Sequence, residues 1–150
     1  MKIAIILNGI SRKKKEFYHR IHPAIAEEFN TTILETRFAG HAEELASEAV
    51  LEKYNVVMAA GGDGTVHQVL NGLLKNEAAD RPVLGIIPLG TGNDFARSCA
   101  VKPDGTQITS LLRVMQPRLR MSVRSSVSVK AVSCEYAISL TYAVLAWGRK

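Results

Sequence analysis

Apolar residues follow two alternating rhythms along residues 2–115. Lys2–Leu7 is a short continuous apolar run rich in isoleucine, the pattern of a strand buried on both faces. From Lys13 to Phe29, Phe17, Ile21, Ile25 and Phe29 recur every fourth position, as one face of a helix requires. Pro23 lies inside that span and predicts a kink or a split, because proline lacks an N–H and crowds the preceding turn. Thr31–Thr36 holds the β-branched Thr31, Thr32, Ile33 and Thr36 and reads as a second strand. His41–Tyr54 reads as a helix with Leu45 and Ala49 on one face and glutamates on the other. Asn55–Ala60 predicts a third strand, Val66–Lys75 a helix and Val83–Pro88 a fourth strand. Asp94–Cys99 and Thr106–Met115 read as further helices. Strands separated by helices imply parallel pairing, so the expected fold class is α/β: a layered domain with a mainly parallel sheet flanked by helices.

Length and composition change this picture little. The chain has 150 residues, room for one ordinary domain, and is 47% hydrophobic and 22% charged. Those values exclude a wholly disordered chain and a disulfide miniprotein. Cys99 and Cys134 allow one bridge at most and no zinc cluster. No apolar run approaches the roughly 18–20 residues that span a bilayer. The apolar start ends at Asn8 and Gly9, too early for a signal peptide. The expected location is cytoplasmic, with room for peripheral attachment at the inner face of the membrane.

Charge does change the picture, through its location. Residues 1–117 carry 13 basic and 13 acidic residues and are neutral. The surplus lies in residues 118–150, where Arg118, Arg120, Arg124, Lys130, Arg149 and Lys150 face Glu135 alone. Serine shifts at the same border, with four before it and six after. We therefore expect a boundary near Gln116-Pro117, with 1–117 as the folded unit. A nucleic-acid role has only this tail to recommend it, since the neutral body lacks a basic and aromatic platform. No nucleic acid is expected as a partner.

The candidate chemistry follows the third and fourth strands. Gly61-Gly62-Asp63-Gly64-Thr65 joins an apolar strand to a helix. Glycines permit positive φ and close backbone approach, and a helix N-terminus adds unpaired amides and a positive dipole end. Together these suit phosphate oxygens. Asp63 would repel phosphate unless a divalent cation lay between them, as Mg²⁺ commonly does. The bland alternative is a turn in which Asp63 only caps the helix. Pro88-Leu89-Gly90-Thr91-Gly92-Asn93-Asp94-Phe95 repeats the logic after the fourth strand. Loops after parallel strands share one sheet edge, where ligands bind. Asp63, Thr65, Thr91, Asn93 and Asp94 are thus candidates for one site, with Asn93 or Asp94 as a plain N-cap the simpler reading of either alone. No lysine follows Gly64, so this is not the Walker loop, and no dinucleotide fingerprint follows the first strand.

These two loops, with the helix Val66-His67-Gln68-Val69-Leu70-Asn71-Gly72-Leu73, resemble the catalytic domain of the diacylglycerol kinase and sphingosine kinase family in its soluble bacterial form. Asn8 matches the start of that family's Asn-Pro-x-x-Gly loop, although Gly9 stands in the proline position. Thr36, followed by Gly40-His41-Ala42, matches the threonine after the second strand. The resemblance covers roughly residues 2–116 and implies an NAD kinase and phosphofructokinase-like layered fold. It implies ATP-dependent phosphorylation of a lipid hydroxyl, diacylglycerol-like, with ATP and Mg²⁺ as cofactors. It implies nucleotide contacts at Asn8, Thr36, Gly61, Gly62, Asp63, Gly64, Thr65, Val66, His67 and Thr91. Asp63 would be the catalytic carboxylate and would organise Mg²⁺ indirectly. Gly90, Gly92, Asn93 and Asp94 would lie on the phosphate or acceptor side. The implied partners are ATP and a lipid substrate at a membrane surface; a homodimer is compatible.

Two departures stand out. Gln68 replaces the glutamate many members carry. Members also continue into a β-rich second domain holding the general base and several metal-binding positions, and residues 118–150 match nothing there. Residues 118–150 are expected to be a shortened or frame-shifted end; alternating edge strands at Met121–Arg124 and Val127–Lys130, or a membrane-surface run at Ala137–Trp147, are the other readings. General bases contribute on the order of 10²–10⁴-fold, so the short chain is expected to be weak or inactive alone. A NAD kinase-like small-molecule kinase and a non-catalytic nucleotide-binding module are the competing readings.

Elsewhere, Arg12, Lys13, Lys14 and Lys15 are expected to form a solvated helix start, with attraction for nucleotide or anionic headgroups as the sharper alternative. His19 and His22 are expected on the same basic face, and Cys99 is expected to pack at a helix end.

Overall fold

The computed structural model describes residues 1–75 and 81–121, with side chains described through residue 115. The expectations for 122–150 lie outside the described residues. Four strands, β1 (Lys2–Leu7), β2 (Asn30–Glu35), β3 (Val56–Gly61) and β4 (Val83–Pro88), form one sheet in the order β2-β1-β3-β4. Every pairing is parallel, with Ile5 opposite Ile33 and Met58, and Ala60 opposite Ile87. The α/β expectation holds.

Continuous apolar strands are explained by cover on both faces. Successive strand residues point to opposite sides. Ala4, Ile6, Val57, Ala59, Leu84 and Ile86 pack beneath α3 (His41–Leu51) and α4 (Asp63–Lys75). Ile3, Ile5, Leu7, Val56, Met58 and Ala60 pack on the other side with Phe17, Ile21, Ile25, Ile108 and Leu112. Those last residues come from the first helical stretch and from α6 (Gly105–Met121). The result is three layers.

The helices differ from expectation in instructive ways. The first stretch is α1 (Lys14–Glu16), a π-helical turn Phe17–Ile21, and α2 (His22–Ala26). Pro23 opens α2 and the wider π turn precedes it, so the chain accommodates proline without losing the Phe17–Ile21–Ile25 face. The helix predicted to reach Tyr54 ends at Leu51, because Lys53 turns left-handed at φ 56° and its N–H bonds the Val50 carbonyl. α6 runs to Met121, through the compositional border at 116–117. Gly72 lets α4 close on α3: a Cβ there would sit 2.2 Å from the Glu43 carbonyl oxygen. No helix among the described residues is long and apolar enough to cross a membrane.

Candidate active site

Parallel strands deliver their following segments to one edge, and backbone bonds stitch these segments together. The Asn8 N–H bonds the Ala60 carbonyl and the Thr36 N–H bonds the Leu7 carbonyl, each at 2.9 Å. The Gly9 N–H donates to Thr36 Oγ1 at 3.1 Å. A proline at position 9 would have no N–H to give to Thr36. The Asn8 side chain accepts the Ile10 N–H at 3.2 Å and closes its own turn. At the other end, the Leu89 and Gly90 N–H groups both bond the Gly61 carbonyl, at 2.9 and 3.3 Å.

The first glycine segment is shorter than the sequence implies. α4 begins at Asp63, not Val66, so only Gly62 separates it from β3. The Thr65 and Val66 N–H groups bond the Gly62 carbonyl at 3.0 and 3.1 Å. The Val66 side chain lies in the core and its N–H is engaged by Gly62. Thr65 is also buried, folded over Gly61, where a Cβ would meet Thr65 Oγ1 at 2.3 Å. Gly64 and His67 are exposed on the outer side of this turn.

The glycines of these two segments do not use positive φ, which among the described glycines only Gly40 has. Gly61 and Gly90 are required by close approach instead, whereas a Cβ at Gly64 would meet open space. A Cβ on Gly90 would lie 2.5 Å from Gly62 Cα and 2.8 Å from Asn93 Oδ1. The two segments therefore touch backbone to backbone.

Asp63 joins the same two segments through its carboxylate. Oδ2 accepts the Asp94 N–H and Oδ1 the Phe95 N–H, each at 3.1 Å. Asp63 thus caps α5 (Asp94–Ser98), a helix of the other segment, rather than its own. Asn93 occupies the N-cap position with φ 54°, but its side chain makes no cap bond. It closes on Gly90 instead: Nδ2 donates to the Gly90 carbonyl at 2.7 Å and Oδ1 accepts the Gly90 N–H at 3.0 Å. Asn93 therefore shapes the segment from within. Asp94 is exposed and bonded to Arg97; Thr91 and Gly92 are exposed at the tip.

The structure brings Gly61–Thr65 together with Gly90–Asp94, and Asn8 together with Thr36. Ser11 was missed by sequence reasoning. Its hydroxyl donates to the Leu89 carbonyl at 3.3 Å and accepts the Lys13 N–H at 3.3 Å, linking the segments after β1 and β4. Its place two residues before a lysine, after Asn8-Gly9, was a signal for a local hydroxyl turn, though not for the partner 78 residues away.

A family model described as the diacylglycerol kinase catalytic domain matches residues 2–123. Over 73 residues the chain is 45% identical to a diacylglycerol kinase of Bacillus subtilis, covering 49% of this chain and 23% of that protein. Over 97 residues it is 41% identical to a protein of Pectobacterium atrosepticum named "Probable lipid kinase YegS-like", covering 65% and 32%. A crystal structure titled as a diacylglycerol kinase from Bacillus anthracis superposes with a TM-score of 0.65 at 31% identity, over 77% of this chain and 40% of that one. These define a kinase fold of the lipid kinase class. The chain belongs to the diacylglycerol kinase catalytic domain family. The matched stretches cover 23% and 32% of the length of these curated relatives, so the chain spans less than a third of either.

Proposed function

We propose that residues 1–117 form the nucleotide-binding unit of an ATP-dependent lipid kinase that transfers the γ-phosphoryl group to a lipid hydroxyl, diacylglycerol-like. The observation that carries this is the Asp63 carboxylate joining the two glycine segments at 3.1 Å to each of two amides. The residues present fit a triphosphate. Gly64 sits in the first turn of a 13-residue helix, and the space a Cβ would take there is open for 4 Å, which leaves that backbone approachable. They also fit Mg²⁺ held through one carboxylate. Each Asp63 oxygen accepts one N–H and keeps a second lone pair. When bound, the cation would supply charge neutralisation, which phosphoryl transfer needs more than covalent help.

The protein's own residues position and orient. Gly61, Gly62 and Gly90 hold the two segments in contact, Asn93 sets the second segment's shape, and Asp63 locks one to the other. Thr36 accepts from Gly9 and keeps its hydroxyl proton to donate, consistent with a nucleotide contact beside Asn8. We further propose that transfer by the 150-residue chain is slow. The carboxylates described at this edge are all engaged: Asp63 with amides, Asp94 with Arg97, Glu35 with Lys14. None stands ready as a base for the acceptor.

The test is thermal stability with and without millimolar Mg-ATP, followed by transfer to diacylglycerol or to NAD. A ligand at 100 times its Kd stabilises by about 2.7 kcal/mol, so a clear rise in Tm is expected with Mg-ATP. No shift would overturn nucleotide binding. Phosphorylation of NAD in preference to diacylglycerol would overturn the lipid acceptor. Turnover near about one per second would overturn slow transfer.

A further inference from the structure

We infer that Phe38 is the platform on which the base of the nucleotide stacks. The inference rests on the nucleotide-binding reading above and deepens it, by naming what meets the end of the ligand remote from its phosphates. Phe38 follows β2 and is 57% exposed. Its ring is nonetheless held in place. It lies nearly parallel to the His41 imidazole, with 4.4 Å between centroids and 14° between planes. The imidazole is fixed in turn: its Nδ1 accepts the Arg37 N–H at 3.1 Å, and the His41 N–H bonds the Phe38 carbonyl at 3.3 Å. One face of the Phe38 ring is therefore covered, and exposure of that size leaves the other to solvent. A fixed, flat and open aromatic face is what a planar base stacks on, at little cost in side-chain freedom.

The order of the sheet says why a base would arrive there. The glycine segments that suit the phosphates follow β3 and β4. β2 lies two places from β3, across β1. Neighbouring strands are about 4.8 Å apart, so the segment after β2 starts about 10 Å from the phosphate side, along the same edge. A nucleoside triphosphate is a long ligand, with a ribose between its phosphates and its base. Thr36, two residues before Phe38, fastens this segment to the neighbouring one: its N–H bonds the Leu7 carbonyl and its Oγ1 accepts the Gly9 N–H. Nothing comparable stands on the β4 side, where Phe95 packs against the core. Of the other described aromatic rings, Phe17, Phe29 and Tyr54 are buried and Tyr18 lies on the π turn. Among the described residues Phe38 is thus the open ring on this edge. A phenyl face reads no hydrogen-bond pattern, so it favours a large flat base, a purine over a pyrimidine, rather than one base identity.

Calorimetric titration of the full chain with Mg-ATP, and with Mg-tripolyphosphate, which has no base, tests it. The unaltered chain should bind Mg-ATP the more tightly. Phe38→Ser should weaken Mg-ATP about 10-fold and leave Mg-tripolyphosphate unchanged. The preference for Mg-ATP over Mg-CTP should shrink in the same variant. Phe38→Trp keeps a π face and should bind Mg-ATP at least as well as the unaltered chain. Its added indole should be quenched by Mg-ATP and not by Mg-tripolyphosphate, against the background that Trp147 gives in the unaltered chain. Position 38 is exposed, so Tm without ligand should hold in both variants. Mg-ATP binding that Phe38→Ser leaves intact overturns the inference while nucleotide binding stands. An equal loss of both ligands overturns it too, since the ring would then only shape the phosphate side. Failure of the unaltered chain to bind Mg-ATP overturns the inference together with the reading it rests on.

Discussion

Gly90 and Gly64 are both glycines of the candidate site, and a single methyl group separates their roles. At Gly90 a Cβ would press on Gly62 Cα at 2.5 Å and on Gly62 N at 3.1 Å, backbone atoms that cannot swing aside. At Gly64 it would meet nothing within 4 Å. Gly90→Ala should therefore cost about 1–3 kcal/mol, in the range of other overpacking changes. Gly64→Ala should leave stability unchanged or raise it by up to about 1 kcal/mol, since alanine suits a helix better. The same Gly64→Ala change should weaken Mg-ATP, by filling the space beside the helix start. Urea midpoints for the two variants check the first contrast; equal midpoints would refute it. That glycines cluster in these two segments was legible from the sequence. Their reason was not, because the contact between positions 62 and 90 joins segments that no local pattern relates. Asn93 is similar: an asparagine at a helix start suggests a cap, and only the folded segment shows its amide turned back on Gly90.

At the scale of elements, α5 is the piece that could not stand by itself. It has five residues, far below the length at which an isolated helix holds in water. Its cap comes from Asp63, 31 positions before Asp94, so a short helix of the second segment depends on a carboxylate of the first. Replacing a capping side chain by alanine costs about 0.5–2 kcal/mol. Asp63→Ala should thus speed hydrogen exchange at Asp94 and Phe95 while the amides of β3 stay protected. Asp63→Asn retains one acceptor oxygen and should fall between. Unchanged protection at Asp94 and Phe95 in the alanine variant would show that the cap does not hold α5. The elements themselves were largely readable. β1 and β4 fall where their apolar runs predict, because burial on both faces leaves no polar gaps in a strand. Helix starts and ends were less readable, because they depend on nonlocal partners and on single residues such as Lys53 entering the left-handed region. The π turn before Pro23 was unreadable for the same reason: it keeps a packed face that only the sheet beneath defines.

For the molecule as a whole, the layer formed by α2 and α6 should be the one that acid loosens. Two groups on it titrate away from their ordinary values, and both act in the same direction. His22 sits at the start of α2 with Nε2 3.0 Å from Thr31 Oγ1 on β2 and its ring 5.7 Å from that of Phe17. Burial there lowers its pKa below the ordinary 6.5. The unfolded chain then binds this proton more readily than the folded one, so stability falls as pH drops from about 6.5 through the lowered folded value. Glu28, just after α2, accepts Arg113 of α6 through Nε at 2.7 Å and through Nη2. Those hydrogen bonds hold its carboxyl below the ordinary 4.5. Its contribution is present above 4.5 and is lost as pH falls through the folded value. Melting curves from pH 8 to 3 should therefore show two separate declines. His22→Gln can keep a hydrogen bond to Thr31 without titrating, so it should flatten the upper decline alone. Arg113→Gln should flatten the lower one alone, by returning Glu28 toward its ordinary value. The Glu28 pair is solvent-exposed, so its decline should be the shallower and should shrink in high salt. A His22→Gln profile that still declines between pH 7 and 5 as steeply as the unaltered chain would place the acid-sensitive group in another layer.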